Sequence, residues 1–292
     1  MSHDLTTSEI VLVPVVGNKD SNIVISTGSF INGQVIQGDK LYVNQSSSYL
    51  SATLKFLQEC TQSFDSSHDV NHGISVFFLT IQILDQLYPV GTAHKYNVDK
   101  ATLASLLHDT RDHKYPDCVS QDVIDTFLDN CVGETDRRAI VTMIENVSWS
   151  KRARGRKTPE DASSVFLSNI VSSVDDLSAE DKVILTAIQD ADQITAIGKV
   201  GILRCEDFAY ARHLDQKKAS GSLSPPGVKS WGHIPVIVSN VRKYADEKLL
   251  RLYPEKWITT VPGRLIAEPL HAEMVEFMKT YQGSIKLQRS IE

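Results

Sequence analysis

Apolar positions follow two different rhythms along this chain, and the change falls near residue 48. Before it, "EIVLVPVV", "SNIVIST", "GQVIQG" and "KLYVN" are short β-branched runs divided by turn residues, which predicts a small antiparallel sheet or meander within residues 9–45. The Ser-rich "NQSSSYLS" marks the boundary and supplies N-cap residues. Beyond it the repeat lengthens towards 3.6. Helices are expected over 48–62, 67–88, 98–109, 119–131, 134–147, 160–174, 179–197, 199–212, 238–252 and 264–281. Two loops stand out: the basic "SWSKRARGRKTPED" and the Gly/Ser/Pro-rich "KKASGSLSPPGVKSWGH", the second long enough to act as a lid or binding loop. The expected fold class is mainly α, a helical bundle with a small β-rich N-terminal extension.

Polar residues that interrupt the apolar faces carry the chemistry. At about 100° per residue, His72 shares one narrow face with Val76, Leu79 and Ile83. An inward histidine alone is usually a satisfied core residue. His68 lies on the same side at the helix end. In "LASLLHDTRDHK", however, His108 and Asp109 are adjacent at the end of another apolar helix, and burying that pair costs several kcal/mol unless something compensates it. A divalent cation does so, since imidazole and carboxylate both ligate Mn²⁺, Fe²⁺, Co²⁺ or Zn²⁺. In "VILTAIQDADQITAIG", Asp190 and Asp192 lie about 200° apart around the helix axis. Each sits at an edge of the apolar stripe, and the pattern does not choose between them.

Composition narrows the class. The chain has 292 residues, 41 % of them hydrophobic, so a sizeable core can form. A net charge of −6 argues against coating an extended nucleic acid, and no apolar run approaches a membrane span. Four dispersed cysteines without C-x-x-C spacing read as buried thiols of a reducing compartment. With no basic n-region or apolar h-region in "MSHDLTTSEI", a cytoplasmic location is expected. Gly198 and Gly201 follow a helix, unlike a dinucleotide fingerprint, and read as close helix packing.

The order His, then His-Asp, then Asp, each on its own helix, resembles the HD-domain metal-dependent phosphohydrolase superfamily. "HDVNHGISV" is similar to its first segment, "LLHD" to its second and "DADQI" to its third. The resemblance assigns His72, His108, Asp109 and Asp192 as metal ligands. "IENVSWSK", "YADEKLLRL" and "GRLIAEPLHAEMVEFMKTY" extend the likeness to the branch of small stand-alone HD proteins that includes nucleotide pyrophosphohydrolases. It covers residues 48–283, leaving 1–47 as the extension and 284–292 as a tail. Gln193 and Ile194 depart from the basic residue and Leu usual in the family, and the 219–232 loop looks expanded.

The resemblance implies one divalent ion, Mn or Mg favoured over Co, Fe or Zn, and hydroxide attack on a phosphoryl group of a nucleotide. A nucleoside triphosphate split to monophosphate and pyrophosphate is one such reaction. Asp112, one turn after His108, would orient the water or move a proton, and Lys114 would neutralise developing charge. His68 and the run Lys151, Arg152, Arg154 and Arg156 are candidate substrate contacts, guanidinium groups gripping phosphate bidentately. Three other readings stay open: a monophosphate phosphatase, a nucleotide-binding sensor with little catalysis, and an oxygen-activating enzyme using His113 for a second metal. The expected partner is a small phosphate ester, with neither nucleic acid nor membrane, and a homodimer is left open.

Overall fold

In a computed structural model, residues 11–14, 23–26, 41–42, 48–65, 67–89, 95–111, 115, 118–149, 174–219 and 234–284 are described. The N-terminal strands are β1 (Val11–Pro14), β2 (Ile23–Ser26) and β3 (Leu41–Tyr42). They form an antiparallel sheet in the order β1-β2-β3, with Val11 opposite Ser26 and Val24 opposite Tyr42. The meander expected from the turn residues is therefore present in these three runs, while the "GQVIQG" run lies outside the described residues.

The rest is helical: α1 (Leu50–Cys60), α2 (Val70–Leu87), α3 (Val98–Leu107), α4 (Gln121–Asp129) and α5 (Glu134–Asn146). After residues 150–173, outside the description and including the helix expected at 160–174, come α6 (Ala179–Thr195) and α7 (Gly198–Ala219). The chain ends in α8 (Ile234–Glu247), a 3-10 turn at Leu249–Arg251, and α9 (Val261–Thr280).

Helix starts are set by side chains that satisfy orphan N–H groups. Asp69 accepts from the backbone N–H of Asn71 at 2.9 Å and of His72 at 3.2 Å, so the cap also fixes where His72 stands in the first turn of α2. Asn97 caps α3 through Lys100 N–H at 3.0 Å. Ser178 caps α6 through Asp181 N–H at 3.1 Å, and Thr260 caps α9 through Gly263 N–H at 3.0 Å.

Helix α2 is the central element and packs mainly against α6 and α3. Its stripe of Val76, Ile83 and Leu84 is fully buried with Leu103, Leu106, Ile184 and Ile188, each contributing about 1.5–3 kcal/mol of burial. Gly73 allows the close approach that positions the site. A Cβ there would lie 2.7 Å from Leu57 Cδ2 and 3.2 Å from the Leu106 carbonyl oxygen. Lys100 ties three helices, with its ammonium 3.0 Å from both Asp136 and Asp181.

The packing role read for Gly198 and Gly201 has a concrete form. Gly198 takes the left-handed conformation, φ 78°, and a Cβ on Gly201 would fall 2.1 Å from the Ala196 carbonyl oxygen. The four cysteines are free, and burial pushes the Cys60 and Cys205 thiols up to about 11. No helix among the described residues is long and apolar enough to cross a membrane.

Candidate metal centre

Three helices converge where α2 begins and α3 ends. His72 stands in the first turn of α2 and His108 at the C-cap of α3, followed directly by Asp109. The two imidazoles are 5 % and 6 % exposed, and their Nε2 atoms lie 3.2 Å apart. Asp109 Oδ2 is 3.1 Å from His72 Nε2 and 3.2 Å from His108 Nε2. From α6, Asp192 Oδ1 reaches to 3.5 Å and 3.9 Å of the same two nitrogens.

This geometry fits a cation. Metal–ligand bonds of about 2.0–2.2 Å separate neighbouring donor atoms by roughly 3 Å, which matches the spacing of the His72, His108 and Asp109 donors. These three could hold a metal ion, having ligand atoms all within 4.8 Å of one another, and Asp192 lies beside the two imidazoles. The His108 Nδ1–H donates to the Ser105 carbonyl at 2.7 Å, so in neutral His108 the Nε2 lone pair points at the carboxylates.

Without an ion the charges compensate one another. Burial works to lower the His108 pKa, but Asp109 and Asp192 outweigh it and raise the imidazole to about 9. Burial works the other way on the carboxyls. The facing histidines nevertheless draw Asp192 down to about 2 and Asp109 well below the usual carboxylate range.

The choice between Asp190 and Asp192 is made by partners far along the chain. Asp190 is fully buried. It accepts from Thr259 N–H at 3.0 Å, from Thr260 N–H at 2.7 Å and from the Thr259 hydroxyl at 3.3 Å. It pins α6 to the start of α9, and Asp192 is the carboxylate that faces the histidines.

A cavity of about 840 Å³ opens over this cluster. His68 is in its wall, its Nδ1 2.6 Å from Ser67 Oγ and 3.0 Å from the Tyr115 hydroxyl, with its ring 5.9 Å from that of His72. Asp112, His113 and Lys114, together with Lys151, Arg152, Arg154 and Arg156, lie outside the described residues, as does most of the 219–232 loop.

Among the described residues, the cavity is lined by cations not singled out by sequence. Arg204 of α7 donates from Nε to the Ser67 carbonyl at 3.1 Å and from Nη1 to the Thr195 carbonyl at 3.1 Å, bracing the segments that carry His68 and Asp192. Burial lowers the pKa of its guanidinium, while Asp192 and Asp109 oppose that shift. The signal available in sequence was a lone arginine closing the apolar run "VGIL".

No family model matches the chain. It is 26 % identical over 233 residues to the uncharacterized protein YpgQ of Bacillus subtilis, an alignment spanning 79 % of this chain and 90 % of that protein. A solved Lactobacillus plantarum protein shares the fold, at 21 % identity and a TM-score of 0.54, over 85 % of this chain and 99 % of its own. YpgQ has been solved in complex with ADP (21 % identity, TM-score 0.47, 83 % of this chain and 94 % of that one). An HD-superfamily hydrolase from Bacillus thuringiensis matches at 21 % identity and a TM-score of 0.45, over 79 % of this chain and 93 % of that one. The chain is mainly α and shares its fold with the Lactobacillus plantarum protein, and His72, His108, Asp109 and Asp192 lie together as the resemblance to HD-domain proteins led one to expect.

Proposed function

We propose that this protein is a divalent-metal-dependent phosphohydrolase acting on nucleotides, with His72, His108, Asp109 and Asp192 as the metal ligands. One observation carries the reading. The donor cluster lies in the wall of a cavity that also holds fixed cations and aromatic rings, among them Arg204, Lys248, Trp149 and Phe208. Phosphate and base are the two chemical halves of a nucleotide, and these are the groups that recognise them. The sequence likeness to YpgQ, a protein solved with ADP, supports a nucleotide ligand.

A bound Mn²⁺ or Mg²⁺ supplies Lewis-acid polarisation of a phosphoryl oxygen and lowers the pKa of water. The chain's own groups do the rest. Ser105 holds the His108 ring through Nδ1. Asp109 and Asp192 bring two negative charges that favour a dication, and 27 % exposure of each side chain leaves the group open towards the cavity. Arg204 fixes Ser67 beside His68, so the cavity wall keeps its shape as substrate enters.

Elemental analysis and product assays test this. Purified protein is expected to carry about one equivalent of divalent metal, lost on His108→Ala and Asp192→Ala. With Mn²⁺ or Mg²⁺, a nucleoside tri- and monophosphate panel is expected to release pyrophosphate or phosphate. Metal-free protein that still binds nucleotide would make it a sensor. Protein that binds neither metal nor nucleotide would overturn both readings.

A further inference from the structure

His68 is a cavity-wall imidazole outside the proposed ligand set, its ring 5.9 Å from that of His72. Its Nδ1 lies 2.6 Å from Ser67 Oγ and 3.0 Å from the Tyr115 hydroxyl. Both hydroxyls also meet Asp65. Ser67 Oγ donates to Oδ1, and the Tyr115 hydroxyl donates to Oδ2 at 2.7 Å. The surroundings hold this group in place. Ser67 is buried, its N–H donates to Asp65 Oδ1 at 2.8 Å, and Arg204 fixes its carbonyl. The Tyr115 ring stacks on Phe64 with centroids 4.1 Å apart.

Counting hydrogens decides which nitrogen of His68 carries the proton. Burial works to raise the Asp65 pKa, but hydrogen bonds from Ser67 and Tyr115 outweigh it and lower it. Asp65 is therefore a carboxylate and only accepts. A hydroxyl has one hydrogen. Ser67 and Tyr115 each give theirs to Asp65, so they meet His68 with oxygen lone pairs alone. Nδ1 must be the donor, and Nε2, at the opposite side of the ring, carries no proton in neutral His68. A nitrogen lone pair repels a phosphate oxygen and accepts from an O–H.

We infer that Asp65 is a positioning residue: through Ser67 and Tyr115 it locks the proton of His68 on Nδ1, so that Nε2 accepts a hydrogen bond from an O–H group beside the metal ligands. That O–H belongs either to the water consumed in hydrolysis or to a sugar hydroxyl of the nucleotide. The role of the acceptor rests on the phosphohydrolase reading; the tautomer does not.

The test is Asp65→Asn, which keeps the shape and exchanges one acceptor oxygen for an NH2 donor. One hydroxyl must then accept from the new amide and turn its own hydrogen to His68 Nδ1, which moves the ring proton to Nε2. Long-range ¹H–¹⁵N NMR of metal-free protein reads the tautomer at about pH 8, above the ordinary imidazole range. The His68 signals are identified by their loss in His68→Gln. Wild type and Tyr115→Phe, which keeps the Ser67 relay, are expected to show Nδ1–H, and Asp65→Asn to show Nε2–H. Metal content is expected to stay as in wild type. In Mn²⁺-dependent kinetics, a water donor predicts that Asp65→Asn lowers kcat by about 100-fold for ribonucleotides and 2′,3′-dideoxynucleotides alike. A sugar donor predicts that KM rises by about 10-fold for the ribonucleotide only.

Wild-type His68 protonated on Nε2 or on both nitrogens, or a tautomer unchanged by Asp65→Asn, would overturn the lock. A tautomer that switches while kcat and KM hold for both nucleotides would remove the acceptor role. Wild type that hydrolyses no nucleotide refutes the enzyme and leaves the lock to the NMR result. The acceptor role then falls unless Asp65→Asn weakens ribonucleotide binding.

Discussion

Two aspartates separated by a single alanine should fail in opposite ways. Asp190 is fully buried and accepts from the backbone N–H groups of Thr259 and Thr260. Replacing it by alanine leaves both half-buried donors unpaired, at about 1–3 kcal/mol each, so about 4 kcal/mol is expected in all. For a helical domain of this size each kcal/mol lowers Tm by about 2–4 °C, which puts the drop near 8–16 °C, with or without metal. Asp190→Asn keeps one acceptor oxygen and should lose roughly half as much.

Asp192→Ala should destabilise the metal-free fold by less than Asp190→Ala does. The carboxyl sits at about 2, below its ordinary 3.8, which corresponds to about 2 kcal/mol at neutral pH. Relief of its repulsion with Asp109 offsets part of that. The variant should instead lose the metal response. At metal 100-fold above Kd the wild type gains about 2.7 kcal/mol, and this shift should vanish. The assay is thermal denaturation of both variants across a Mn²⁺ titration. If Asp190→Ala melts like wild type, or if Asp192→Ala still responds to Mn²⁺, the division of labour between the two carboxylates is wrong.

Lys100→Met should lower the urea midpoint by an amount equivalent to about 2–4 kcal/mol, since it strands the buried carboxylate of Asp181. Burial works to lower the Lys100 pKa, but Asp136 and Asp181 outweigh it and raise it. The stabilisation is therefore complete below the unfolded value of about 10.4 and is lost as pH rises through the folded one; a wild-type-to-mutant gap that does not close in strong alkali would count against the triad. Gly73→Ala should weaken metal binding more than it lowers Tm, because the new methyl meets the Leu106 carbonyl at 3.2 Å and pushes α2 away from His108. Unchanged metal affinity in a direct titration would show that this close approach does not set the site.

What could be read from the sequence was what depends on neighbours a turn or two away. The stripe of Val76 and Ile83 marked α2 and turned His72 inward, and the expected 67–88 and 134–147 spans differ little from Val70–Leu87 and Glu134–Asn146. Errors arose where a local signal is ambiguous. The span expected over 264–281 begins three residues late: α9 starts at Val261, because a proline in the first helical turn lacks only an N–H that had no partner there. The helix expected over 238–252 runs from Ile234 to Glu247, with Pro235 again tolerated in its first turn. It stops where Lys248 leaves helical geometry, at φ −133° and ψ −64°.

The remaining choices are fixed by residues distant in the chain, which no periodicity reports. Asp190 is separated from Asp192 in role only by N–H groups some 70 positions downstream. Arg204 acquires its function from Ser67, 137 positions upstream. The ammonium of Lys248 is positioned partly by Trp149, at the far side of the chain segment that contains the basic run. A helical wheel can state that a polar residue lies on an edge; which partner meets it there is decided by packing, and in this fold that packing separates a carboxylate that pins two helices from one that faces the histidines.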